Sequence, residues 1–177
     1  MNIFFLHSDP IRAARMQCDQ HVIKMPIEST QMLSDTHHIL SDPVPEGICD
    51  KFNPNHGSTK WVRASASNYL WLYRLFLALC DEYEYRYGRK HDSLFRAEVL
   101  ANPPINIPRV GVTAPYLAMP DEYKVEGAVR SYRRYYLGDK ASFARWTRRR
   151  PPVWWPHRKS YPDVLRRKRL NLPSKRN

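Results

Sequence analysis

The sequence predicts a mainly α-helical fold: a compact single-domain bundle of four to six helices, with a long Pro-rich loop and an extended basic C-terminal arm. Three observations lead there. Apolar residues recur at steps of three and four over two long stretches. Capping residues and a terminal glycine bracket those stretches. The 177 residues are 42% hydrophobic, enough for one core, and no apolar run is long enough to span a membrane. The boundary is drawn at residue 146, with a helical domain over 1–146 and a basic aromatic arm over 147–177.

Residues 3–6, Ile-Phe-Phe-Leu, read as a short strand or an apolar plug. Asp9 followed by Pro10 is the pairing expected of an N-cap and first helical position, so a helix follows through Met16. Over residues 19–40, Val22, Met25, Ser29, Met32/Leu33, Thr36 and Ile39/Leu40 keep helical spacing. Pro26 falls inside that pattern, where a ring without an N–H either kinks the helix or marks its true start. Residues 41–55 carry three prolines and a glycine and read as loop. Ser58 or Thr59 then caps one long helix ending near Gly88, with a stripe including Trp61, Val62, Tyr69, Leu72, Phe76 and Cys80 as its core face. A shorter helix is expected over 92–100 and an irregular Pro-rich loop over 102–120. Pro120-Asp121-Glu122 opens another helix that stops at Gly138, and Asp139 caps a last one through Trp146.

Cys18, Cys49 and Cys80 form no CxxC pair and suit a reducing cytosol, in the host cell if the chain is phage-encoded. The formal charge of +12 is unevenly spread. Residues 130–177 hold 16 Lys/Arg against 2 acids, whereas residues 1–129 are close to neutral. Such asymmetry marks a polyanion partner. Arg133, Arg134, Lys140, Arg145, Arg148, Arg149 and Arg150 supply charge for phosphates, and Arg158, Lys159 and residues 166–169 extend the run. Tyr135, Tyr136, Trp154, Trp155 and Tyr161 are interleaved with them. Arginine suits phosphate and aromatic faces suit unstacked bases, so the expected partner is nucleic acid. The competing arrangement has the rings packed in the core and only the arginines in water.

On the second helix, His21, Lys24, Glu28, Gln31 and Asp35/His38 form a polar stripe. Glu28 follows His21 by two turns and shares its face. A partly desolvated carboxylate there serves as general acid or base, and Lys24 is an amine nucleophile where its neutral form is available. An ordinary solvated helix face is the alternative. The histidines lack ligand spacing on one helix, and although His21, Glu28 and His56 could still meet in space, no metal is expected; no cofactor is expected either.

Asp19-Gln20-His21 followed by Glu28, together with residues 132–140 (Tyr-Arg-Arg-Tyr-Tyr-Leu-Gly-Asp-Lys), resembles the small phage pyrimidine-dimer DNA glycosylases of the endonuclease V type. The likeness covers about 25 residues in two patches. It implies an all-α enzyme that kinks double-stranded DNA and flips a pyrimidine, without metal. In that family an N-terminal α-amine attacks the sugar C1′ to form a Schiff base, and a glutamate manages protons at the sugar. By carry-over Glu28 is that acid/base residue, His21 a DNA-contacting or supporting residue, and Tyr135, Tyr136 and Lys140 line the DNA. The chain departs from the family at its start: Asn2 stands where the family has Thr, and Ile3 where it has Arg. Two other readings therefore stay open. One is an amino acid (or amine):DNA transferase acting on 5-hydroxymethyl-pyrimidine bases with a small amine donor. The other is a non-catalytic nucleic-acid-binding protein.

Overall fold

A computed structural model describes residues 1–156. Five α-helices follow in order: α1 (Pro10–Met16), α2 (Asp19–Leu40), α3 (Gly57–Arg63), α4 (Ala66–Tyr87) and α5 (Ala128–Tyr135). Single 3-10 segments cover Asp92–Arg96 and Asp121–Tyr123, and a π-turn, Tyr136–Lys140, continues α5. No strand occurs among the described residues, and none of their helices is long and apolar enough to cross a membrane. The long helices α2 and α4 pack on each other, with α1 against α4 and α3 against both.

Several boundaries follow the sequence. The Asp9 carboxylate accepts the Arg12 N–H, and Pro10 opens α1. Gly88 ends α4 in the left-handed region at φ 72°, where a side chain would be strained. Helix α2 begins at Asp19 and runs through Pro26.

Other boundaries differ for identifiable reasons. The single helix expected from Ser58/Thr59 to Gly88 is two, because Ser65 leaves the helical region at φ −161°. Its Oγ accepts N–H groups from Ser67 and Asn68, satisfying the first turn of α4, and donates to Val110 O. His56, not Ser58 or Thr59, caps α3. Over 92–100 only one 3-10 segment forms before a run of turns. The helix expected from Pro120 to Gly138 breaks after Tyr123 and restarts at Ala128, behind Gly127 at φ 86°. Gly138 does not stop it: it lies inside the π-turn, where a Cβ would run into the Tyr123 ring. Asp139 therefore caps no further helix; it accepts the Tyr123 hydroxyl.

Residues 3–6 are a plug rather than a strand, each 4% exposed or less. Phe5 stacks on Trp71 and meets Trp61 edge-on, while Phe4 touches His21, Tyr132, Tyr135 and Tyr136. The start of the chain thereby ties α2, α4 and α5 together through contacts of buried apolar area.

Residues 147–156 lie against the helices. The Asp19 carboxylate accepts the Thr147 N–H and hydroxyl. Buried Glu82 binds Arg86 and Arg149, and Trp146 Nε1 donates to Met16 O. The rest of the expected arm, with its charges from Arg158 onward, falls outside the described residues.

Candidate active site

The plug at the chain start fixes the position of Asn2. Its backbone N–H donates to Glu28 Oε2 at 2.8 Å. Its side-chain Nδ2 donates to Ala118 O at 2.8 Å, and its Oδ1 accepts the Ile3 N–H. Three bonds thus hold the first turn of chain between α2 and the Pro-rich loop. Glu28 is 8% exposed, and its other oxygen, Oε1, lies 3.0 Å from Lys24 Nζ one helical turn earlier. The Lys24 side chain is 69% exposed, so the pair opens to water on the lysine side. With its lysine largely in water, this i,i+4 pair contributes only about 0.5 kcal/mol to stability. Its interest is local charge: a nearly buried carboxylate with a backbone nitrogen on one oxygen and an ammonium on the other.

His21 lies one turn before Lys24 and is 7% exposed. Its ring stacks on Phe4 at 4.2 Å between centroids, and Nδ1 shares a hydrogen bond with the Tyr136 hydroxyl. Burial, then the charges of Lys140 and Lys24, push its pKa from 6.5 to about 3. A neutral imidazole in this setting orients its neighbours and does not exchange protons near pH 7. Between pH 6.5 and 3 the unfolded chain holds a proton on His21 that the folded chain does not. Stability is fully present above pH 6.5 and falls as pH drops toward 3, by on the order of 4 kcal/mol. Denaturant unfolding of wild type and His21→Gln across that range is the check: the difference between them should shrink steadily on acidification.

The cationic and aromatic residues divide into two groups. Arg134, Arg145, Arg148 and Arg150 are exposed and Lys140 is half-buried, its ammonium 4.4 Å from the Tyr135 ring centroid. Arg133 is anchored instead, with Nε donating to Leu6 O and the guanidinium over Trp154. Tyr136 is fully buried under His21, Tyr135 and Trp155 are buried, and Arg149 is bound to Glu82. Of these cations singled out in the sequence, the four exposed arginines present their charge most openly to solvent. Lys140 and Lys24 both act on His21, which puts them toward the same part of α2.

Three elements of the site carried little sequence signal. Asn2 reads only as a mismatch until its bonds are seen. Ala118 and Tyr116 sit in a loop whose prolines predict irregularity but no particular path. His56 offers no spacing to mark it, yet it comes under the field of both Glu28 and the chain's amino group.

A family model described as pyrimidine dimer DNA glycosylase matches residues 1–96. The chain belongs to this family. No curated protein and no solved structure matches it. The matched stretch contains α1 to α4 and the residues gathered at the chain start, Asn2, Lys24, Glu28 and His56, whereas Ala118 and α5 lie beyond it. Membership makes DNA the substrate and base removal by a glycosylase the general activity. Within this glycosylase the bundle brings Asn2, Glu28 and Lys24 into direct contact and ties His21 to them through Phe4.

Proposed function

We propose that this protein is a DNA glycosylase with AP-lyase activity on pyrimidine sites of double-stranded DNA, with the amine at the start of the chain as nucleophile and Glu28 as proton-handling residue. The contact between the Asn2 nitrogen and Glu28 Oε2 carries this reading, because it brings the beginning of the chain to a nearly buried carboxylate. The amine is that of Met1, or that of Asn2 once Met1 has been removed.

The amine lone pair forms a bond to C1′, and the C1′–N bond to the base breaks, the base leaving with the bonding pair and taking a proton from water. Glu28 accepts the proton shed by the attacking amine and returns it to O4′ as the sugar ring opens, which leaves an imine. Loss of a C2′ proton then expels the 3′ phosphate, and water hydrolyses the imine to restore the amine. Lys24 serves as the counter-charge of Glu28, and His21 and Tyr136 brace the plug that carries the nucleophile. Exposed Arg134, Arg145, Arg148 and Arg150, with Lys140, bind backbone phosphates while the target nucleotide is flipped from the stack.

Sodium borohydride provides the test, since it reduces the imine to a stable amine and fixes protein to DNA. On duplexes containing an abasic site or a pyrimidine dimer, wild type should give a covalent band and, without borohydride, a nicked strand. A protein that binds these duplexes but yields neither product overturns the reading.

One observation favours the transferase as a second reading. While Met1 is present, the nitrogen on Glu28 is a peptide amide, which is no nucleophile. Glu28 would then act on the amine of a small donor. In that case DNA bearing an activated 5-hydroxymethyl-pyrimidine gains mass only with the donor present, and borohydride traps nothing.

A further inference from the structure

The Pro-rich loop that holds Asn2 also reaches a histidine from another element. Ala118 O accepts Asn2 Nδ2, and two residues earlier the Tyr116 ring meets the His56 ring edge-on at 6.1 Å. The loop is fixed there: Tyr132 donates its hydroxyl hydrogen to Tyr116 O, and the Tyr116 ring fills the space a Cβ would need at Gly57. His56 itself is held by its Nδ1, which accepts the Ser58 N–H at 3.1 Å as the cap of α3. A neutral ring so held carries its proton on Nε2. Among the described residues Nε2 has no protein partner.

We propose that His56 is a substrate-contacting residue of the reaction centre: the α3 cap and the Tyr116–Ala118 loop, which also holds Asn2, keep a neutral imidazole on the side of the chain start, with Nε2–H available to an oxygen of the flipped nucleotide. The inference rests on the glycosylase/lyase reading and deepens it.

The charged and titratable groups around His56 come from every side. The Met1 amino group and Glu28 act on it from the plug and α2, Tyr116 packs on it from the loop, and Lys60 stands one turn along its own helix. Lys24 is bound to Glu28. Burial and then the amino group lower the pKa of His56 below 6.5, with Glu28 opposing them. The ring is therefore neutral at pH 7. On acidification it becomes a second cation beside the cationic Schiff base, which it repels. The neutral ring both donates a hydrogen bond and keeps that charge away.

The test compares wild type, His56→Asn and His56→Ala by single-turnover borohydride trapping on an abasic-site duplex from about pH 4.5 to 8. Asparagine keeps an oxygen for the Ser58 N–H, so α3 retains its cap. Both variants should trap at least about tenfold more slowly at pH 7, with DNA affinity within about twofold. The acid limb of the wild-type profile below pH 6.5 should move in His56→Asn. If His56→Asn keeps the wild-type rate, or loses rate with an unmoved profile, or if only the alanine variant is slow, His56 is merely a helix cap and the inference is overturned. Failure of wild type itself to trap would overturn the underlying reading instead, and the inference with it.

Discussion

Glu28→Gln is expected to slow covalent trapping on abasic-site DNA by at least about 100-fold, the usual range for losing a general acid/base, while DNA affinity changes less than about threefold. The substitution keeps shape. The glutamine carbonyl can still accept the Asn2 N–H that Oε2 now accepts, so the chain start stays in place. What disappears is the negative charge and the ability to take a proton. The lost Lys24 pair costs little, because the lysine is mostly in water. An unchanged melting temperature with collapsed turnover is thus the expected signature, read by single-turnover kinetics beside thermal unfolding. A variant that traps at the wild-type rate would remove Glu28 from the reaction.

The largest effect on stability is expected at Glu82, in the buried ion-pair cluster at the start of α2. Glu82 and Arg86 are each 3% exposed. Arg86 reaches Glu82 Oε2 through Nε and Nη2, and Asp19 Oδ1 and Gln17 O through Nη1. Arg149 brings the C-terminal strap, residues 147–156, onto the same carboxylate. Glu82→Ala removes the main counter-charge of a buried guanidinium and is expected to cost about 3–5 kcal/mol, read as a lowered urea midpoint. The double variant Glu82→Leu/Arg86→Met should recover much of that loss, since removing both charges removes the uncompensated one. A Glu82→Ala protein as stable as wild type would mean that Asp19 and the carbonyls suffice for Arg86. Asp19 also takes the Thr147 N–H and hydroxyl. The Asp that opens the Asp-Gln-His motif is thereby a structural clasp between α2, α4 and the strap.

The motif face of α2 was legible because helical spacing alone places His21, Lys24 and Glu28 together. The Asp9–Pro10 start and the Gly88 stop were legible because one residue's own chemistry decides each. The failures share a different cause. Ser65 breaks the long helix by bonding its hydroxyl to a loop 45 residues away, and no local pattern reports such a partner. Gly138 reads as a helix stop, yet it is glycine because Tyr123 lies against it. Tyr136 reads as a surface ring among arginines, yet it is buried because His21 needs a hydroxyl where Phe4 covers it. The Asn2 contact was the least legible part of the site: a single residue, outside any helix, positioned by Glu28 and Ala118, which lie 26 and 116 residues further along the chain.

The most direct measurement is the mass mapping of the borohydride-reduced adduct after nuclease and protease digestion. The sugar remnant is expected on the α-nitrogen of the first residue, Met1 or Asn2. A remnant on Lys24, or no remnant on any amine, would contradict the central claim that the start of this chain is the nucleophile Glu28 serves.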